Sequence, residues 1–255
     1  MIKRKIIVGN WKMNPRTVKE AGKLFGEVAK GVSRVKKTDI VICAPFIFLE
    51  ELAEIRTSKV KLGAQDAFPG DTGAFTGEVS ADMLYELGVR YVILGHSERR
   101  AFGESNNDVN KKIKSALAYG LWPILCVGES DRDHNHGYFS LVKMQLEKCL
   151  AGISKNSVGK IIIAYEPVWA ISTTPDRRDA TADDSREMTI FIRKILSDKF
   201  GKNAGSMRIL YGGSVNEKDA SEFLENGGVD GLLAGKSSLN AKKFLEIINT
   251  AEHIF

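Results

Sequence analysis

Along this chain, short runs of consecutive apolar residues alternate with longer stretches in which apolar positions recur every three or four residues. The short runs are 5–9, 39–43, 60–64, 91–94, 123–127, 160–165, 208–211 and 231–234. They are apolar at successive positions rather than at every second one, the pattern of strands covered on both faces. Between them the spacing predicts helices over 17–30, 107–119, 141–150 and 184–200. Asp184 and Ser185 serve as start signals for the last of these, and a further helix opens at Asn216 and Glu217. Strand–helix alternation requires a parallel sheet with right-handed crossovers. Eight repeats, with no linker, low-complexity segment or break in composition, predict one domain over 1–255. Its class is α/β, a closed eight-stranded parallel (β/α)8 barrel. An open doubly wound sheet is the alternative. The missing GxGxxG after the first run counts against its dinucleotide-binding form.

In such a barrel all strands point their C-terminal ends at one face, so chemistry belongs directly after the apolar runs. The first run is followed by Asn10, Trp11 and Lys12, where the lysine is either a solvated loop residue or a fixed cation at the barrel mouth. The fourth is followed by His96, ahead of Ser97 and Glu98, residues that suit a helix start. Positive potential there favours a neutral imidazole, able to donate to a developing oxyanion. Arg99 and Arg100 need anionic partners, and Glu78 and Glu104 are the candidates. After the sixth run stands Glu166, a poorly solvated carboxylate suited to general-base work, with a structural ion pair as the alternative. The seventh and eighth runs lead into Gly212-Gly213-Ser214 and Gly235-Lys236-Ser237, loops whose backbone can approach a phosphate closely. The second is not a nucleotide-binding loop, because Asp230 stands where that motif needs its first glycine. His134-Asn135-His136 lies in a polar stretch without a third ligand, so an exposed loop or helix start is expected and no metal.

Composition adds limits. Of 255 residues, 43% are hydrophobic and 27% charged, which excludes a disordered chain and suffices for one sizeable core. No apolar stretch reaches membrane-spanning length, and the run near the N-terminus is too short for a signal peptide, so a cytoplasmic location is expected. Cys43, Cys126 and Cys149 are odd in number and widely spaced, the pattern of buried thiols. The net charge of +5 comes from scattered lysines not interleaved with aromatics. It therefore suits a small anion and not nucleic acid.

The segments GNWKMN, GAFTGEVSADML, GHSERR, YEPVWA, YGGSV and VDGLLAGKSSL resemble, in order and spacing, the motifs of the triosephosphate isomerase family. The resemblance covers nearly the whole chain and implies a TIM barrel. It also implies cofactor-free interconversion of dihydroxyacetone phosphate and D-glyceraldehyde 3-phosphate through an enediolate. By that resemblance Glu166 is the base, His96 polarises the carbonyl, Lys12 stabilises negative charge and Asn10 orients the oxygens. Ser172, Ser214 and the backbone at Gly235 and Lys236 hold the phosphate. Ile171 and Leu233 press on the glutamate when a lid over 167–180 shuts. The resemblance further implies a homodimer built by loop 65–78, bounded by Gln65 and Glu78. Thr76 would reach the partner subunit's Asn10 and Lys12, and Glu78 would pair with Arg99.

The chain departs from that pattern twice. Ser172-Thr173-Thr174-Pro175-Asp176-Arg177-Arg178 replaces Gly-Thr-Gly and its small or basic sequel, leaving a glycine-free lid with a modified hinge. Lys236 stands where the family often has glycine, a change compatible with backbone contact to phosphate only if φ is negative there. Two other readings follow. One is an isomerase whose loose lid lets the intermediate lose phosphate as methylglyoxal. The other is a barrel kept as a scaffold for partners, against which the joint presence of Lys12, His96 and Glu166 argues.

Overall fold

The computed structural model describes residues 4–55, 57–133, 135–171 and 178–254. Eight parallel strands close into a barrel in chain order: β1 (Lys5–Asn10), β2 (Thr38–Ala44), β3 (Val60–Ala64), β4 (Tyr91–Leu94), β5 (Trp122–Val127), β6 (Ile162–Tyr165), β7 (Arg208–Tyr211) and β8 (Gly231–Ala234). Around them, among the described residues, run α1 (Val18–Gly31), α2 (Phe46–Glu54), α3 (Ala81–Glu86), α4 (Ser97–Ala101), α5 (Asn106–Ala118), α6 (Gly137–Cys149), α7 (Ala182–Phe200), α8 (Ala220–Asn226) and α9 (Ala241–His253).

Successive strand residues face opposite ways, and both directions are apolar. Ile6 and Val8 meet Val41, Ile93, Ile124 and Leu210 inside the barrel. Ile7, Ile40 and Ile42 point outward into a second layer beneath the helices, with Phe25, Phe48 and Phe244. Each such buried aliphatic side chain contributes about 1.5–3 kcal/mol, so the two layers supply the main driving force for closure. Cys43, Cys126 and Cys149 are buried and unbonded within them.

Helix starts explain where the pattern misled. Thr17 caps α1 in a reciprocal pair with Glu20, as a helix over 17–30 requires. For α7 the cap is Thr181, and Asp184 is its third-position partner, so the helix begins at Ala182 and not at 184. Asn216 does not open α8. Its backbone N–H and side-chain amide both donate to Asp219, at 2.7 and 2.6 Å, and this turn delays the helix to Ala220. β6 starts at Ile162 because Val158–Lys160 coil into a 3-10 turn. α6 starts at Gly137, four residues early, behind His136 in a left-handed conformation (φ 57°). The neighbouring His134 lies outside the described residues.

The barrel closes where β8 meets β1, with Ile6 opposite Gly231 and Val8 opposite Leu233. A Cβ on Gly231 would stand 1.9 Å from the Ile6 carbonyl oxygen, which is backbone and cannot move aside. Gly231→Ala should therefore cost at least about 1–3 kcal/mol. That corresponds to a Tm lowered by roughly 2 °C or more, readable by calorimetry. An unchanged Tm would show that the seam yields.

Candidate active site

Three strand ends supply the candidate groups Asn10, Lys12, His96 and Glu166. At the end of β1, the Asn10 Oδ1 accepts the Lys12 backbone N–H at 3.0 Å. Lys12 is left-handed (φ 52°), which costs a non-glycine residue of order 1 kcal/mol. Gln65, beyond β3, holds it there by donating its amide to the Lys12 carbonyl (2.8 Å) and to that of Cys43 (3.0 Å). The Lys12 side chain runs past Gly235 and places Nζ 2.6 Å from Glu98 Oε1.

At the end of β4, His96 itself caps α4: its Nδ1 accepts the Glu98 backbone N–H at 3.2 Å. A nitrogen that accepts carries no proton, so the neutral ring has its proton on Nε2. That nitrogen faces Glu166, 3.2 Å from Oε1. The approach lacks hydrogen-bond alignment, and Oε1 has no aligned donor among the described residues.

Glu166 follows β6 and is 2% exposed. Its backbone N–H donates to Val127 at 2.8 Å, and its Oε2 accepts the Ser97 N–H at 3.0 Å. The residue just past β5 must be glycine, since a Cβ on Gly128 would lie 1.8 Å from the Glu166 carbonyl oxygen. Ile171 and Leu233, both buried, wall the same space. A cavity of about 690 Å³ joins Asn10, Lys12, His96 and Glu166 to Ser214, Gly235 and Lys236. Lys236 is not among the residues with positive φ, so the lysine sits on this loop without backbone strain. The Ser214 N–H donates to Ala170 at 3.3 Å, tying the loop after β7 to the segment after β6. Ser172 lies outside the described residues, as do 173–177 of the expected lid.

The arginine pairings differ from expectation. Within the chain, Arg99 is joined to Asp66 at 2.8 Å and not to Glu78. Arg100 donates to the Gly95 carbonyl and to Asn106, and Glu104 is taken by the buried Lys112, which also holds Asp66. Asp66 is one residue beyond Gln65, close to the strand end, whereas Glu78 is at the far end of the loop. Thr76 is exposed on that loop.

Sequence reasoning missed Glu129. It is 1% exposed and follows β5, so the strand-end criterion that found the others would have found it. Its carboxylate accepts from Tyr165 Oη (2.7 Å) and Trp169 Nε1 (2.8 Å), with Arg132 at 3.4 Å. Trp169 also carries the Arg178 guanidinium 4.3 Å from its ring centre, so residues on both sides of 172–177 meet on one indole.

The triosephosphate isomerase family model matches residues 5–251. The chain belongs to the triosephosphate isomerase family. Members include the triosephosphate isomerases of Aquifex aeolicus (44% identity, covering 96% of this chain and 98% of that one) and Alkaliphilus metalliredigens (42%, covering 97% and 100%). The crystal structure of triosephosphate isomerase from Bartonella henselae superposes with a TM-score of 0.85 at 37% identity, covering 97% of this chain and 98% of that one. With relatives this similar over full length, the chain is an isomerase of that family.

Burial lifts the Glu129 carboxyl above its ordinary range, opposed by the hydrogen bonds from Trp169 and Tyr165 and by the Arg132 charge. A carboxyl with a raised folded pKa holds its proton more tightly folded than unfolded. Its contribution to stability is therefore present at low pH and lost as pH rises through the folded value. The stability of the wild type relative to Glu129→Gln, from urea midpoints, should accordingly grow as pH falls from about 7 towards the ordinary carboxylate range. A flat or shrinking difference would mean that the hydrogen bonds outweigh burial.

Proposed function

We propose that the chain interconverts dihydroxyacetone phosphate and D-glyceraldehyde 3-phosphate through an enediolate, without a cofactor. The observation that supports this is the convergence of Glu166, His96 Nε2–H and Lys12 in one cavity with two glycine-containing loops. Proton transfer beside a carbonyl needs a base at carbon, a donor at oxygen and a cation for the charge that develops. Glu166 takes the proton from the carbon next to the carbonyl and returns it to the neighbouring carbon. His96 donates from Nε2 to the carbonyl oxygen, Lys12 offsets the enediolate charge and Asn10 orients the oxygens. Ser214 and the backbone at Gly235 and Lys236 hold the phosphate, joined by Ser172 from the lid.

Glu166 Oε2 is engaged by Ser97 N–H, so the carboxylate must leave that bond to reach substrate. Ile171 and Leu233 then exclude water from it, which strengthens it as a base. The lid over 167–180 lacks glycine and closes by its own hydrogen bonds, with Trp169 fixed by Glu129 and faced by Arg178 at its base. This reaction places the enzyme in glycolysis and gluconeogenesis, in the cytoplasm. A homodimer through loop 65–78 fits the apolar side chains left uncovered in the single chain. Met13 is 93% exposed, Phe102 85% and Ile47 78%.

Glu166→Gln should lower kcat by about 10²–10⁴ with a smaller change in KM, measured in a coupled isomerisation assay with methylglyoxal assayed in parallel. Fast wild-type turnover with little methylglyoxal is expected from a sealing lid. Abundant methylglyoxal would favour the leaking variant, and a folded but inactive wild type would bring forward the scaffold. Thr76→Arg puts a charge at the tip of the docking loop and should convert the dimer to monomer in size-exclusion chromatography with light scattering. An unaltered dimer would place the interface elsewhere.

A further inference from the structure

The cavity is larger than the proposed chemistry requires. At about 690 Å³ it lies in the range of pockets that hold drug-sized ligands, whereas a three-carbon phosphate needs only the part that runs from Glu166, His96 and Lys12 to the loops at Ser214 and Gly235. Residues 216–218, after β7, line the same cavity, together with Lys236 and with Asn240 and Lys243 at the start of α9. Its charges divide into matched and unmatched. Lys12 is paired with Glu98, and Lys243 with Glu217 at 2.8 Å. The bond from Lys243 keeps the Glu217 carboxyl below the usual carboxylate range, with a smaller contribution from the Lys218 charge, so Glu217 stays ionised. Lys218 and Lys236 also line the cavity, and the side chain of neither makes an ion pair or hydrogen bond with a described residue. Each adjoins one of the two loops assigned to phosphate: Lys236 follows Gly235 directly, and Lys218 stands four residues beyond Ser214.

We propose that the lobe lined by Lys218 and Lys236 is a second anion subsite. It takes the terminal phosphoryl group of a diphosphate whose other phosphoryl group occupies the loops at Ser214 and Gly235. The proposal rests on the reading of those loops as the phosphate site. A monophosphate held there leaves Lys218 facing solvent. A diphosphate carries its second charged group out to Lys218 and Lys236, where both cations gain a partner at once. The negative Glu217 is no obstacle, because its charge is committed to Lys243. Occupation of both subsites excludes the triose phosphate, so a diphosphate acts as a competitive inhibitor.

The test measures inhibition constants for orthophosphate and inorganic pyrophosphate against isomerisation at constant ionic strength, in the wild type, Lys218→Ala and Lys218→Glu. Pyrophosphate should bind the wild type about tenfold more tightly than orthophosphate, lose about threefold in Lys218→Ala and lose the whole advantage in Lys218→Glu. Turnover and the orthophosphate constant should stay unchanged in both variants. Adenosine diphosphate distinguishes the source. Inhibition equal to that by pyrophosphate, and equally sensitive to Lys218, assigns the lobe to nucleotide tails, and weaker inhibition assigns it to compact diphosphates. Pyrophosphate no tighter than orthophosphate, or an advantage indifferent to Lys218→Glu, would overturn the outer subsite while leaving the isomerase reading intact. An active enzyme that orthophosphate does not inhibit competitively would remove the inner site on which the proposal rests.

Discussion

The site exists because β8 hydrogen-bonds to β1 and makes a ring of what would otherwise be an open sheet. Asn10 ends the first strand of that ring, and Gly235 follows the last. Only closure brings the Lys12 stem past Gly235 and lets one cavity include both. The seam leaves no space for a side chain at Gly231, and the Glu166 backbone leaves none at Gly128. Backbone approach at these two places sets how near the reacting groups come to each other. Side-chain packing then has only to hold what the backbone has placed.

A second layer of polar contacts positions the side chains around the cavity. Gln65 pins the left-handed Lys12 through its carbonyl, so strain at that residue is offset by a neighbouring strand end. The α4 backbone decides which nitrogen of His96 carries the proton. Glu129 does the same for Tyr165 and Trp169, gathering two donors and an arginine at one buried carboxylate. Such groups are costly to bury and cheap to leave in place once every donor has found its acceptor. Rigidity of this kind matters wherever groups must be held to within an ångström of one another.

Much of this was readable in the chain. Doubly apolar runs mark strands covered on both faces, and four of the eight observed strands coincide with their runs. The residues just beyond them, Asn10, Lys12, His96, Glu166, Ser214 and Gly235, line one cavity. What failed to show has a common cause: it depends on which loop lies across the barrel mouth, and periodicity carries no information about that. Arg99 found Asp66, next to the strand end, instead of Glu78. Asn216 looked like a helix start but serves a turn with Asp219. Glu129 went unnoticed because GES carries no helix or phosphate signal, although its position after β5 was the same clue that singled out Glu166.

Lys236 shows how a departure from the family pattern can be tolerated and then used. A glycine at such a position has two uses, positive φ and room for the ligand. Here φ is not positive, so a side chain brings no backbone strain and the backbone N–H keeps its direction. The lysine is exposed and is one of the residues that line the cavity. The lysine therefore adds a cation to the lining of the cavity without removing a backbone N–H. With Lys218 nearby and Lys243 already neutralised by Glu217, the added charge concentrates on one side of the mouth, whereas the +5 of the whole chain is spread over its surface. Local excess of this kind raises the concentration of anions at the entrance and acts on capture more than on the bond-making step.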